Sequence, residues 1–112
     1  MLARKYRLTK ESDFNRVFRS GNKVFSRFFN LRYCNGLAEN SRFAVVVANK
    51  VSKKAVQRNL LKRQTRAIIH LNLDKIVEKM DILVNVLPVA LGVDYQELEQ
   101  DLIAAFKKAK LM

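Results

Sequence analysis

Residues 43–71 read FAVVVANKVSKKAVQRNLLKRQTRAIIHL, and the spacing of their apolar positions changes partway along. Phe43 to Ala48 is a continuous apolar run with three valines, which predicts a buried central strand. From about Ser52 to Leu71 the spacing is helical. Arg58, Lys62 and Arg66 lie four apart, as do Asn59 and Arg63, so at roughly 100° per residue these five share one arc. Val56, Leu60, Leu61, Ala67, Ile68 and Leu71 fall on the opposite arc and are expected to face the core. A buried strand leading into an amphipathic helix predicts a two-layer α/β sandwich.

The charge of this helix is its second message. From Lys50 to Arg66 the chain carries Lys50, Lys53, Lys54, Arg58, Lys62, Arg63 and Arg66, with no Asp or Glu. Like charges at helical spacing repel, and surface helices ordinarily mix their signs. Folding gives no reason for such a run, whereas a polyanion would neutralise it. The chain as a whole has 112 residues and a net charge of +12. Residues 1–66 hold a balance of +14 and residues 67–112 a balance of −2. The binding surface is therefore expected within the first 66 residues, and the length predicts a single domain over 1–112.

Working outward, Thr9 or Ser12 can cap a short helix to about Arg19, which Gly21 ends. Phe14, Val17 and Phe18 make one apolar stripe on it. Residues 23–34 read as one strand, with Phe25, Phe29, Leu31 and Tyr33 on the core side. Ser26, Phe28, Asn30 and Arg32 lie on the other side, at the solvent or along a groove. Asn35-Gly36 signals a turn. Asp81 to Leu87, with Ile82, Leu83, Val84 and Val86, predicts another buried strand, ended by Pro88. Asp94 can cap a last helix to about Lys110, its inner side formed by Leu98, Leu102, Ala105, Phe106 and Ala109. The expected order is α-β-β-α-(α)-β-α with a small mixed sheet.

Protein-borne catalysis has little support. His70 is the single histidine and Cys34 the single cysteine, so the usual zinc patterns and an internal disulfide are excluded. Only three glycines are present, and none builds a phosphate loop. Neither Phe43 to Ala48 nor Leu87 to Leu91, the two main apolar runs, is nearly long enough to span a membrane. A reducing, cytoplasmic location is the expectation. Phe14 and Phe18 either anchor the first helix to the core or stack on unpaired bases, and spacing alone favours the core.

The run Ala55-Val56-Gln57-Arg58-Asn59-Leu60-Leu61-Lys62-Arg63-Gln64-Thr65-Arg66 resembles the protein subunit of bacterial ribonuclease P. That family carries Arg-Asn-Arg, a spacer, Lys-Arg, two residues and Arg. The resemblance extends to Arg7-Leu8 with Asp13-Phe14 and Val17-Phe18, to Arg42–Ala48 with Lys50, and to Asp81–Val84. Two positions depart from the pattern: Leu60 stands where Arg is usual, and Asn49 where a first Lys is usual.

The resemblance implies a fold with a left-handed β-α-β crossover, against the right-handed default. It implies a subunit of an endoribonuclease that removes the 5′ leader of precursor tRNA. The chemistry belongs to a catalytic RNA, with Mg2+ held mainly by that RNA and none by the protein alone. No catalytic residue and no metal ligand is expected in this chain. The implied partners are the catalytic RNA and precursor tRNA, with no membrane and no obligate protein partner. RNA contact is expected at Lys50, Lys53, Lys54, Arg58, Asn59, Lys62, Arg63 and Arg66. A groove for the single-stranded leader is expected at Phe14, Phe18, Phe28 and Arg32.

Overall fold

The computed structural model describes residues 2–112, with Ser20 described by its backbone only. The elements are α1 (Glu11–Ser20), β1 (Asn22–Phe25), β2 (Phe29–Asn35), β3 (Arg42–Val46), α2 (Ala55–Leu71), β4 (Met80–Val86) and α3 (Tyr95–Lys108). Short 3-10 turns occupy Arg4–Tyr6, Leu73–Lys75 and Pro88–Ala90. The strands form one sheet in the order β1-β2-β4-β3. β2 is antiparallel to β1 and to β4, while β3 runs parallel to β4. The parallel pair is joined through α2, which makes the β-α-β unit of a small mixed sheet.

Side chains alternate across the sheet, so each strand serves two faces. One face carries Phe29, Leu31, Phe43, Val45, Ile82, Val84 and Val86, which merge with α2 and α3 into the larger core. Phe43 meets Phe106 of α3 edge-on, with ring centroids 6.5 Å apart. Leu98, Leu102, Ala105, Phe106 and Ala109 are buried, as their spacing predicts. The opposite face carries a smaller cluster of Cys34, Ala44 and Leu83, closed by Leu8 and by Val17 of α1.

The stretch read as one strand over 23–34 is a hairpin. β1 and β2 pair with Phe25 opposite Asn30 and Val24 opposite Leu31, turning at Arg27-Phe28. A two-residue turn reverses parity: odd residues of β1 share a face with even residues of β2. Phe25 is therefore 57% exposed, on the face opposite to Phe29 and Leu31, and not in the core as expected. A carboxylate remote in sequence stabilises the turn. Asp101 of α3 accepts from Ser26 Oγ at 2.7 Å, from the Phe28 amide at 2.8 Å and from the Arg27 amide at 3.2 Å.

α2 begins at Ala55 and is rotated by roughly one residue, about 100°, from the predicted phase. Its buried residues are Leu61, Thr65, Ile68 and Ile69, while Val56, Leu60 and Leu71 are exposed. Two polar side chains explain the difference. Thr65 Oγ1 donates to the Leu61 carbonyl and Asn72 Nδ2 to the Ile68 carbonyl, both at 2.8 Å. Each satisfies itself on its own helix and can face the core without an unmet group. α1 starts at Glu11 with Lys10 at its N-cap, so neither Thr9 nor Ser12 caps it. Gly21 ends it as expected, because a Cβ there would lie 2.2 Å from the Val17 carbonyl oxygen.

Candidate nucleic-acid interface

α1 crosses β2 and β4 on the less covered face of the sheet. Three cross-strand rows lie beneath or beside it. The first joins Cys34, Asp81 and Arg42, and the second joins Lys23, Arg32, Leu83 and Ala44. The third joins Phe25, Asn30, Asn85 and Val46. α1 is locked over the first row by charge. Arg42 donates to Asp81 through Nε at 3.0 Å and Nη2 at 2.8 Å, and Arg16 of α1 donates to the same carboxylate. Asp13 of α1 meets Arg16 at 3.2 Å and Arg42 at 3.3 Å. Arg16 also donates to the Asn35 carbonyl and to Cys34 Sγ.

The charge of this cluster is reflected in its ionisation. Burial pushes the Asp13 carboxyl up, but Arg16 and Arg42 outweigh it and hold it below the usual carboxylate range. The hydrogen bond to Asp81 raises both guanidinium groups further still. Two of the 22 cations are thus committed to the fold and are not part of a binding surface.

The third row stays open, and between it and α1 runs a groove of about 340 Å³. Asn30, Asn85 and Val46 form its floor, with Leu83 at the back. Phe14 and Phe18 form the α1 wall. The Arg32 guanidinium lies over the Phe18 ring at 4.9 Å from its centroid, and Phe18 is 52% exposed. Phe14 packs against the small core and also lines the groove. Past Val46 the groove meets a second cleft of about 240 Å³, which Phe14 and Val46 also line and which includes Arg7 and Arg66.

Three of the four expected groove residues thus come together, and Phe28 does not. It is 4% exposed in the β1–β2 turn, buried in the larger core beside α3, with Arg27 over its ring at 4.9 Å. Phe28 is itself a residue of the turn, outside the alternation of either strand, and its amide is held by Asp101 of α3. Asn30, which the sequence leaves open between solvent and a groove, lines the groove; Asn85 and Val46 were not expected there, and nothing local in the sequence marks them for it. Recognising Arg27-Phe28 as a two-residue turn would have identified Phe25 as exposed.

The eight residues expected to contact RNA lie on α2 and the loop before it. Lys50, Lys53, Lys54, Asn59 and Arg63 are exposed, and Arg58, Lys62 and Arg66 are partly so. Arg58 donates to the Ser52 carbonyl at 2.7 Å, which ties the helix start to its loop. Among the described residues, none of the seven cations makes an ion pair. The surface therefore offers uncompensated positive charge, suited to phosphate. Among the described residues no group of three His, Cys, Asp or Glu is placed to hold a metal ion, and no helix is long and apolar enough to cross a membrane.

The family model for ribonuclease P matches residues 2–110. A ribonuclease P protein component from a Pseudanabaena species is 36% identical over 113 residues, covering 100% of this chain and 97% of the relative. One from Lactobacillus delbrueckii is 34% identical, covering 99% and 93%. Among solved structures, a Staphylococcus aureus RNase P protein mutant with defective mRNA degradation activity superposes with a TM-score of 0.89 at 29% identity, over 96% of this chain and 90% of that one. The RNase P protein from Thermotoga maritima superposes with a TM-score of 0.83 at 28% identity, over 91% and 96%. With a matching family model over nearly its whole length and relatives of equal extent, this chain belongs to the ribonuclease P protein family.

Proposed function

We propose that this protein is the RNA-binding subunit of a ribonuclease P ribonucleoprotein, acting in the cytoplasm on precursor tRNA. Its basic loop and α2 hold the catalytic RNA, and the groove beside α1 takes the single-stranded 5′ leader. The observation that carries the reading is Arg32 over the half-exposed Phe18 ring at the wall of an open groove. Such a pair offers a stacking face to an unpaired base and a cation to its phosphate. Neither contact demands one base sequence, as suits a processor of many precursors. The second cleft, with Arg7 and Arg66, leads from this groove towards α2, so one strand can touch both surfaces.

In this reading the chain positions the substrate and does no bond chemistry. Cys34 is buried with Arg16 at its sulfur, and the buried carboxylates Asp13 and Asp81 are engaged by arginines. Among the described residues no group of three His, Cys, Asp or Glu is placed to hold a metal ion, and we assign Mg2+ to the RNA. Lys50, Lys53, Lys54, Arg58, Lys62, Arg63 and Arg66 neutralise RNA phosphates, and Asn59 adds a hydrogen-bonding contact.

The test is cleavage of a precursor tRNA by a bacterial ribonuclease P RNA at low magnesium, with and without this protein. Cleavage at the mature 5′ end only when the protein is present supports the reading. Equal binding to unrelated structured RNAs with no stimulation of cleavage would leave a general RNA-binding domain instead.

A further inference from the structure

No charged residue stands between Ile82 and Val93, in a chain whose net charge is +12. The stretch ends in a loop that faces one flank of α2. Between the two lies a cleft of about 320 Å³, lined by Gln57, Leu60, Leu61 and Gln64 of α2 and by Leu91 to Val93 of the loop. Leu61 is buried, whereas Leu60 and Leu91, from opposite sides of the cleft, are 46% and 41% exposed. The core accounts for Leu61 and leaves the other two leucines unexplained. The loop side is preformed. Pro88 opens its 3-10 turn, the Leu91 amide donates to the Pro88 carbonyl at 3.2 Å, and the Val93 amide donates to the Ala90 carbonyl at 3.1 Å. Gly92 between them has φ 79°, a left-handed backbone that favours glycine.

The polar groups of the cleft are two side-chain amides. Gln57 and Gln64 are two helical turns apart and lie in line along α2. Gln57 Oε1 accepts from Ser52 Oγ, which leaves its N–H groups to donate elsewhere. Gln64 makes no side-chain hydrogen bond among the described residues and offers a donor and an acceptor side by side. Arg63, exposed and one turn from Leu60, stands beside the cleft on the helix surface. A phosphate finds no cation among the lining residues, whereas a base attached to that phosphate finds apolar walls and an amide. The bordering cations also favour a polyanion over a second copy of this basic chain.

Building on the reading of α2 as the surface that holds the catalytic RNA, we propose that this cleft takes one unstacked adenine of that RNA. The base lies between Leu60 and Leu91, with its faces against their methyl groups. Gln64 accepts from the exocyclic amino group and donates to the neighbouring ring nitrogen, the paired contact that an amide side chain makes to adenine. Guanine shows such a reader two acceptors, O6 and N7. Uracil has a smaller ring and a carbonyl oxygen where adenine has its amino group. Arg63 takes the adjoining phosphate. Bases splayed out of an RNA are read in this manner, by packing on their faces and hydrogen bonds at their edges. Leu60 thus gains a use at a position where the family usually carries Arg: one phosphate contact is exchanged for a base contact.

The test uses the full chain, isotope-labelled at its leucine methyl groups, in NMR titrations with hexaadenylate and with hexauridylate. The Leu60 and Leu91 methyl resonances are expected to shift with hexaadenylate and not with hexauridylate, and Gln64→Ala should abolish the difference. Affinity for a bacterial ribonuclease P RNA is measured alongside over a series of salt concentrations. Gln64→Ala and Leu91→Ala should each weaken binding about three- to tenfold at every salt concentration. They should leave the slope of log affinity against log salt unchanged, because neither removes a charge. Arg63→Ala should reduce that slope by about one. Circular dichroism melts report that the variants are folded, and the exposure of Leu91 lets its loss be tolerated.

Leucine methyl groups that shift with neither oligomer, or equally with both, overturn the subsite. So does unaltered RNA affinity in both Gln64→Ala and Leu91→Ala, which would leave the patch to a protein surface. If Arg63→Ala lowers the salt slope while the cleft variants bind as the unaltered protein does, the subsite fails and the phosphate surface of α2 stands. If Arg63→Ala and the cleft variants all leave binding and slope unchanged, both fail.

Discussion

Arg42 grips Asp81 with two arms of its guanidinium, at 3.0 and 2.8 Å, and the Asp81 side chain is wholly buried. The pair joins neighbouring strands β3 and β4, and Arg16 brings α1 onto the same carboxylate. Since α1 is the wall of the groove, this buried charge positions the groove without lining it. Removing one partner of such a pair leaves the other charge unmet. Arg42→Ala is expected to cost about 3–5 kcal/mol in denaturant unfolding. A loss below about 1 kcal/mol would show that water reaches and rescues the cluster.

Asp13 gives the fold an acid limit. Its carboxyl sits below the usual range, so the folded state binds its proton less readily than the unfolded chain does. The stability this provides is complete above the unfolded value and is lost as pH falls through the lowered folded value. Urea midpoints measured from about pH 5 downward should fall more gently for Asp13→Asn than for the unaltered protein. Parallel curves would assign the acid sensitivity elsewhere.

Leu60 and Leu61 test the phase of α2 side by side. Leu61 is 3% exposed and Leu60 46% exposed. Leu61→Ala should lower stability by about 2–5 kcal/mol through an unfilled cavity. Leu60→Ala should change it by less than about 0.5 kcal/mol. The reverse ranking in thermal or urea melts would restore the phase predicted from the apolar pattern.

Arg63 and Arg58 separate RNA affinity from folding. Arg63 is exposed, so Arg63→Ala should leave the melt unchanged and reduce the slope of log affinity against log salt by about one counterion. Arg58→Ala should show a similar loss of slope and also lower the melting temperature, because it gives up the bond to the Ser52 carbonyl. Salt titrations with unchanged slopes would remove both residues from the phosphate-binding surface.

Phe18 tests the groove itself. Because it is half exposed, Phe18→Ala should cost little stability. It should weaken holoenzyme binding of precursor tRNA by about 1–3 kcal/mol relative to mature tRNA. A lower melting temperature with an unchanged precursor-to-mature ratio would make Phe18 a packing residue.

The sequence by itself determined the class of the fold, the last helix, the basic surface and the family. Each of these rests on a local pattern: an apolar run, a 3.6-residue period in Leu98–Ala109, a run of cations without acids, a motif of fixed spacing. Tertiary structure decided which aromatics face the groove and which way α2 turns. Phe25 leaves the core because a two-residue turn reverses parity, Phe28 enters it as a residue of that turn, and Asp101, more than seventy residues away, holds the turn. Thr65 and Asn72 enter the core because each meets a carbonyl of its own helix, which no count of apolar residues registers. The Arg16–Asp81–Arg42 cluster joins residues 65 and 39 positions apart. Periodicity records what one element prefers, whereas a pairing across the sheet is fixed only when several elements pack at once.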